Sequence, residues 1–326
     1  MDACLKVCCL ALTTISAAFV PFAAPAEQYP AKPIRLVVTF APGGAADTTA
    51  RVVGGGLSSA LGKQVVVDNR PGAGGNIGAE IVAKALPDGY TLLLSGTAHA
   101  IAAGMHDKLS YDLSRDLVAI SQLTTTPLVV TVHPSVAAKS AKELVVLAKA
   151  RPGHLTFSSA GTGSGLHLAG VLFCEMAGMT MTHVPFKGGV LGLIAVMGGD
   201  VTVGFSAVTA ALPHVRSGKL RAVGVTGAQR SAVIPELPTI SESGLPGYEA
   251  ALWYGINAPR GTPRPVISRL HVELAKLLGR AEVKDRLATA DLEPIGNAPE
   301  QYDAYIRSEI LKWRKVVNSA GIKPNN

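Results

Sequence analysis

The chain has 326 residues, a formal net charge of +7, and a composition that is 48% hydrophobic but only 5% aromatic. That length allows one large or two medium domains with real cores. The basic residues are scattered rather than interleaved with aromatics, which argues against a base-stacking nucleic-acid surface and fits a small anionic partner, or else a generally basic surface without a specific role.

Residues 1–26 have the layout of a secretory signal peptide: Lys6, an apolar run from Val7 to Val20, then Ala24-Pro25-Ala26, with cleavage expected after Ala26. The competing reading, an uncleaved anchor, meets an apolar run that is short for a membrane span and is followed by prolines. Cys4, Cys8 and Cys9 fall inside that segment. Cys174 is left alone in an apolar helical stretch, where it reads as a small hydrophobe rather than a catalytic thiol.

Next comes an alternation of strands and helices. Strands are expected over Ile34–Phe40, Gln64–Asp68 and Tyr90–Ser95, with helices over Asp47–Leu61 and Asn76–Ala85. The pattern restarts with strands at Leu128–Val132, Leu155–Ser158, Thr182–Val184, Val201–Phe205 and Leu220–Thr226. Helices are expected there at Ala141–Lys149, Leu166–Met176 and Val190–Met197. A strand at Ala250–Asn257 and helices at Pro265–Leu278, Val283–Leu287 and Pro299–Val317 complete the chain. In the last helix Tyr302, Ile306, Ile310, Trp313 and Val317 share one face, which predicts a docking face rather than a cofactor box. The fold class is α/β, with βαβ units, a largely parallel sheet, and two halves facing a cleft.

Two glycine-rich turns stand where a strand hands over to a helix. Phe40-Ala41-Pro42-Gly43-Gly44-Ala45-Ala46-Asp47 gathers backbone amides at a helix start, a place suited to an anion. Asp47 either faces a ligand or caps the helix, and Arg51 four residues on offers it an ion pair. We expect Asp47→Ala to weaken binding more than folding. Ser159-Ala160-Gly161-Thr162-Gly163-Ser164-Gly165 is a second such turn, equally readable as an anion nest or a plain turn; it lacks a P-loop ending and a nucleophile elbow. Gly72-Ala73-Gly74-Gly75-Asn76-Ile77-Gly78 fails the dinucleotide register, because residue 77 is Ile77. His99, His106, His154, His167 and His183 show no metal spacing, and His167 at a helix start reads as structural rather than ligand-binding.

Taken together, the motifs resemble the Bug/TctC-like extracytoplasmic solute receptors of the tripartite tricarboxylate transporter family. The resemblance rests on Tyr29–Arg35, Pro42–Asp47 with Ala50-Arg51, Asn69–Gly78, Pro87–Thr91, His183–Gly189, Gly218–Ala222, Pro238–Ile240, Gly244–Gly247, Trp253-Tyr254-Gly255 and Ala258-Pro259. It implies a two-lobe periplasmic-binding-protein fold (type II-like), with 27–127 plus 228–326 as lobe 1 and 128–227 as lobe 2. It also implies that the two turns grip a small carboxylate. In the first jaw Phe40, Ala41, Gly43, Gly44 and Asp47 would touch it, and in the second Ser159, Ala160, Gly161, Thr162 and Ser164. Thr97 and Ser206 are further candidates at strand ends. Relatives often carry acidic residues where this chain has Val171 and Ser206, a change that favours ligands without an amine. The resemblance implies no catalytic residue, cofactor or metal. It implies a monomer in the periplasm that delivers its ligand to the membrane subunits of a tripartite transporter or, in some cases, to a sensor. The competing functions are an α/β hydrolase or transferase, which needs a nucleophile–base pair in the cleft, and an interaction protein, which needs no cleft.

Overall fold

A computed structural model describes residues 29–106 and 108–322, so the segment expected to be a signal peptide lies outside the described residues. Strands β1 (Ile34–Val38), β2 (Val65–Asn69) and β3 (Thr91–Gly96) pair in parallel with β1 in the middle. Helices α1 (Ala45–Leu61) and α2 (Asn76–Ala83) make the crossovers, and α3 (Thr97–Met105) leaves β3 without a connecting residue. Strand β4 (Leu117–Thr126) is separated from β5 (Leu128–Val132) by Pro127 alone. Proline has no N–H to give a ladder, so the chain changes sheets there.

The second sheet is built from β5, β6 (Thr156–Ser159), β7 (Thr182–Pro185), β8 (Val203–Ala207) and β9 (Arg221–Val225), in the order β7-β6-β8-β5-β9. Helices α4 (Ala141–Ala150), α5 (Gly165–Ala177), α6 (Gly189–Gly198) and α7 (Val208–Arg216) connect its strands. The chain then returns as β10 (Leu252–Pro259), α8 (Arg264–Gly279), α9 (Ala281–Ala288), β11 (Glu293–Pro294) and α10 (Pro299–Ser319). The first sheet is thereby completed in the order β11-β4-β10-β3-β1-β2.

Neither sheet is largely parallel, contrary to the sequence expectation. β10 runs antiparallel to both β3 and β4, β11 runs antiparallel to β4, and β5 runs antiparallel to β8 and β9. Parallel neighbours need a long crossover between them. β4 passes into β5 through one residue, and β10 arrives from the other sheet, so neither has one. The two crossings are tied together at Thr226, which is fully buried. Its hydroxyl accepts from Leu128 N at 2.8 Å and donates to Ala250 O at 2.9 Å, while its own N–H bonds Leu128 O at 2.8 Å.

The expected stripe on α10 is buried: Tyr302, Ile306, Trp313 and Val317 enter the core beside Trp253 of β10, with Ile310 packed at its margin. Both indoles donate to one carboxylate oxygen of Glu309, Trp253 at 2.9 Å and Trp313 at 3.0 Å, and Lys312 pairs with the other. A polar group hidden among aromatics is costly unless it is bonded, and here all three donors converge on it. No helix among the described residues is long and apolar enough to cross a membrane.

Candidate functional site

A cavity of about 580 Å³ lies between the β3/α3 side of the first sheet and the β6–α5 turn of the second. Its polar wall is made of helix starts. Thr97 and Ala98 open α3, Gly165 and Leu166 open α5, and Asn76 opens α2 after the 3₁₀ turn Ala73–Gly75. First-turn amides have no partner within their own helix, and the dipole there is positive. α2 and α3 carry no side-chain cap, and Ser164 caps α5 only at His167 N, 3.2 Å away.

Side-chain donors supplement these amides. Thr162 and Ser164 border the cavity from the second turn. Asn76 Oδ1 accepts from the Tyr111 hydroxyl at 2.9 Å, and its Nδ2 has no partner among the described residues. Tyr254 is 9% exposed and lines the cavity, yet its hydroxyl has no hydrogen bond among the described residues. Burial pushes that phenol up to about 12, so it stays a protonated donor. Thr97 Oγ1 accepts from Trp253 N at 2.8 Å and keeps its own proton for another acceptor. The same lining carries apolar side chains: Phe40, Ile101, Met105, Leu166 and Leu252. None of the lining residues is Lys, Arg, Asp or Glu, and His106 is the lining imidazole. The site can thus bind an anion through amides and neutral donors, each helix start contributing about 0.3–1 kcal/mol, and up to about 2 when partly buried.

Of the residues expected at the site, Phe40, Thr97, Ala160, Thr162 and Ser164 line this cavity. Ala41, Gly43, Gly44, Asp47, Ser159, Gly161 and Ser206 lie outside the lining. Asp47 is turned into its own loop. Its Oδ2 accepts from Gly43 N at 3.0 Å and Arg51 Nε at 2.8 Å, and its Oδ1 from Asn69 Nδ2 at 3.1 Å. The Arg51 guanidinium beside it, with the Gly43 and Asn69 bonds, holds the carboxyl below the usual carboxylate range. Ser159 and Gly161 brace the second turn: the Ser159 hydroxyl accepts from Gly161 N at 3.1 Å and meets His183 Nε2 at 2.6 Å. Gly161 sits at φ +117°, a conformation that favours glycine. Ser206 is 3% exposed at the end of β8, and its hydroxyl has no partner among the described residues. Tyr254, Asn76 and the α3 residues after Thr97 were not anticipated as site residues. Tyr254 belongs to a Trp-Tyr-Gly stretch and Asn76 to the glycine-rich turn, which are the signals that point to them.

Ser159 and His183 are the kind of pair an enzyme reading requires. Ser159 is only 1% exposed and is not among the residues that line the cavity. Cys174 is half-buried, and burial pushes its thiol up to about 11, the opposite of an activated nucleophile. Among the described residues, no group of three or more His, Cys, Asp or Glu could hold a metal ion.

A family model described as tripartite tricarboxylate transporter family receptor (TctC) matches residues 49–322. Protein BugT of Bordetella pertussis is 37% identical over 318 residues, covering 96% of this chain and 98% of that one. An R. palustris protein solved with adipate superposes with a TM-score of 0.80 at 34% identity, covering 91% of this chain and 100% of that one. MatC from Rhodopseudomonas palustris, solved with bound malate, gives a TM-score of 0.75 at 31% identity, covering 89% and 100%.

Proposed function

The chain belongs to the tripartite tricarboxylate transporter receptor family, and from that membership we propose that it is the exported receptor that captures one small carboxylate and presents it to the membrane subunits of such a transporter. The fold is the two-lobe α/β fold of the periplasmic binding proteins it superposes on. Its function is that of a solute-binding receptor, not an enzyme, as in the relatives compared. In our reading lobe 1 is 27–127 plus 228–326 and lobe 2 is 128–227. The switch of sheets at Pro127 and the return between β9 and β10 support these boundaries. The protein acts as a monomer after removal of residues 1–26.

The observation that carries the ligand class is the cavity wall of three helix starts and neutral donors, with no Lys or Arg. One carboxylate placed there meets the positive ends of these helices and the neutral side-chain donors, and its hydrocarbon part meets Phe40, Ile101, Met105 and Leu252. The lining also holds no carboxylate, so an ammonium group finds no counter-charge, which favours organic acids over amino acids. Ligand bridging the two lobes shifts the population toward the closed state, and closure expels water that would otherwise screen the anion.

A thermal-shift screen of organic acids tests this, with adipate and malate included because two neighbours were solved with them. A bound acid at ~100 times its dissociation constant stabilises by about 2.7 kcal/mol. The reading fails if no acid stabilises the folded protein, or if neutral diamides stabilise it equally.

A further inference from the structure

Two histidines lie directly behind the second turn, and the ligand reading leaves them unused. His167 occupies the first turn of α5 and is 4% exposed; its Nδ1 accepts from Gly163 N at 3.2 Å. His183 on β7 places Nε2 2.6 Å from Ser159 Oγ, the same oxygen that accepts from Gly161 N. The imidazoles stack on each other with centroids 3.9 Å apart and an interplanar angle of 26°, and Phe157 stacks on both. The two rings therefore hold the turn at both ends, Ser159 and Gly163, while Ala160, Thr162 and Ser164 between and beside them line the cavity.

We propose that His167 and His183 are positioning residues for ligand binding, acting as a stacked pair that fixes the backbone of Ser159–Gly165 against the cavity. This rests on the carboxylate reading of that cavity. Because His167 Nδ1 accepts the Gly163 N–H, the ring's proton sits on Nε2. A second proton can enter only at Nδ1 and breaks that bond. His183 keeps its bond to Ser159 in either tautomer, since the hydroxyl both donates and accepts. Two charged rings at this separation repel, so the pair cannot carry both protons without parting. Burial, then the neighbouring His183, pushes His167 down to about 4, and burial lowers His183 as well. Among the described residues, the other titratable groups at this face are Glu175 and Cys174 of α5, which border the cavity of about 470 Å³ behind the rings, and the chain at and after the end of α10 adds Ser319, Ala320 and Ile322 there.

The test uses the full mature chain and two readouts. In ¹H–¹⁵N spectra recorded from pH 8 to pH 4 without added acid, the Gly163 amide should follow the His167 imidazole titration. His167→Asn keeps an acceptor near the Nδ1 position but does not titrate, so its Gly163 amide should be protected yet insensitive to pH. His167→Ala should expose that amide to exchange. In parallel, adipate binding measured at pH 7.5 should weaken about two- to ten-fold in His167→Ala and His183→Ala. It should recover in His167→Asn and His183→Gln at unchanged melting temperature. A Gly163 amide that is equally protected in wild type and His167→Ala overturns the proposal, as does wild-type adipate affinity in both alanine variants. If wild type does not bind adipate, the spectra still decide the positioning role, and the failure then belongs to the choice of ligand.

Discussion

Replacing Asp47 with alanine separates a loop clamp from a ligand contact. The carboxylate is 4% exposed and holds Gly43 N and Asn69 Nδ2 at 3.0 and 3.1 Å. Hydrogen bonds to a charged group contribute about 1.5–3 kcal/mol each, or about 3–6 for the two. Two things reduce that sum. Gly43 is exposed and its amide rehydrates, and Asn69 Nδ2 keeps its bond to Phe40 O at 3.0 Å. The Arg51 pair adds little, because that side chain is 55% exposed and screened by solvent. The expected net loss is about 2–3 kcal/mol, which at roughly 2–4 °C per kcal/mol lowers Tm by roughly 4–12 °C. The folded carboxyl titrates below its unfolded value of 3.8, so the stabilisation is complete above that value. It disappears as pH falls from there through the lowered folded value. The difference in urea stability between wild type and Asp47→Ala should therefore be constant from pH 8 to 5 and shrink in stronger acid. Affinity for a bound acid should change less than stability does, the reverse of what the sequence led us to expect. A variant that melts like wild type but no longer binds would refute the reasoning and return Asp47 to the ligand.

Tyr254→Phe removes a hydroxyl with no protein partner, so stability should hold while calorimetric affinity for a bound acid falls by about 0.5–1.5 kcal/mol. In Gly165→Ala the new Cβ would lie 2.5 Å from Leu252 Cδ2 across the cavity mouth. Overpacking of about 1–3 kcal/mol should then weaken binding in the wild-type background, whereas in a Leu252→Ala background the same Gly165→Ala change should cost little further; an equal loss in both backgrounds would show that the contact is not the cause. Glu309→Ala leaves two buried indole N–H groups unpaired, and urea unfolding should show a loss of about 2–6 kcal/mol. Both tryptophans of the chain bond this carboxylate, so native-state fluorescence should shift in the same variant.

What could be read from the sequence was whatever announced itself by period or by a breaker. The α10 stripe from Tyr302 to Val317 is one case, and the strand running into Pro42-Gly43-Gly44 is another. α3 was missed because Thr97–Met105 is mostly small residues without a stripe and begins straight off β3, whose last residue, Gly96, is also the helix N-cap. β4 was missed because its buried positions include Ser121, Gln122, Thr124 and Thr126, whose polarity imitates a solvated segment. Their bonds are tertiary, as in Ser121 Oγ donating to Asn297 O at 2.8 Å, and no local pattern foretells them. α7 was hidden by Pro213 within it. The second glycine turn borders the cavity while the first reaches it only through Phe40, because which side chains face inward depends on backbone direction. Asp47 illustrates this, since the Arg51 four residues on was visible and the inward turn of the carboxylate was not. Tyr254 reads as a core aromatic until its hydroxyl is seen to lack a partner.

In the proposed reading the groups that hold the anion are mostly main-chain amides at the starts of α2, α3 and α5, and that choice shapes how such a receptor can change over generations. Every residue except proline supplies the amide whatever its side chain, so most missense changes leave the grip on charge in place. The walls that meet the rest of the ligand are ordinary side chains, Ile101, Met105, Leu166 and Leu252 among them, and each is open to replacement. Duplicated copies can therefore drift from one acid to another by altering these walls alone, while the inherited grip on the carboxylate keeps every intermediate a working receptor.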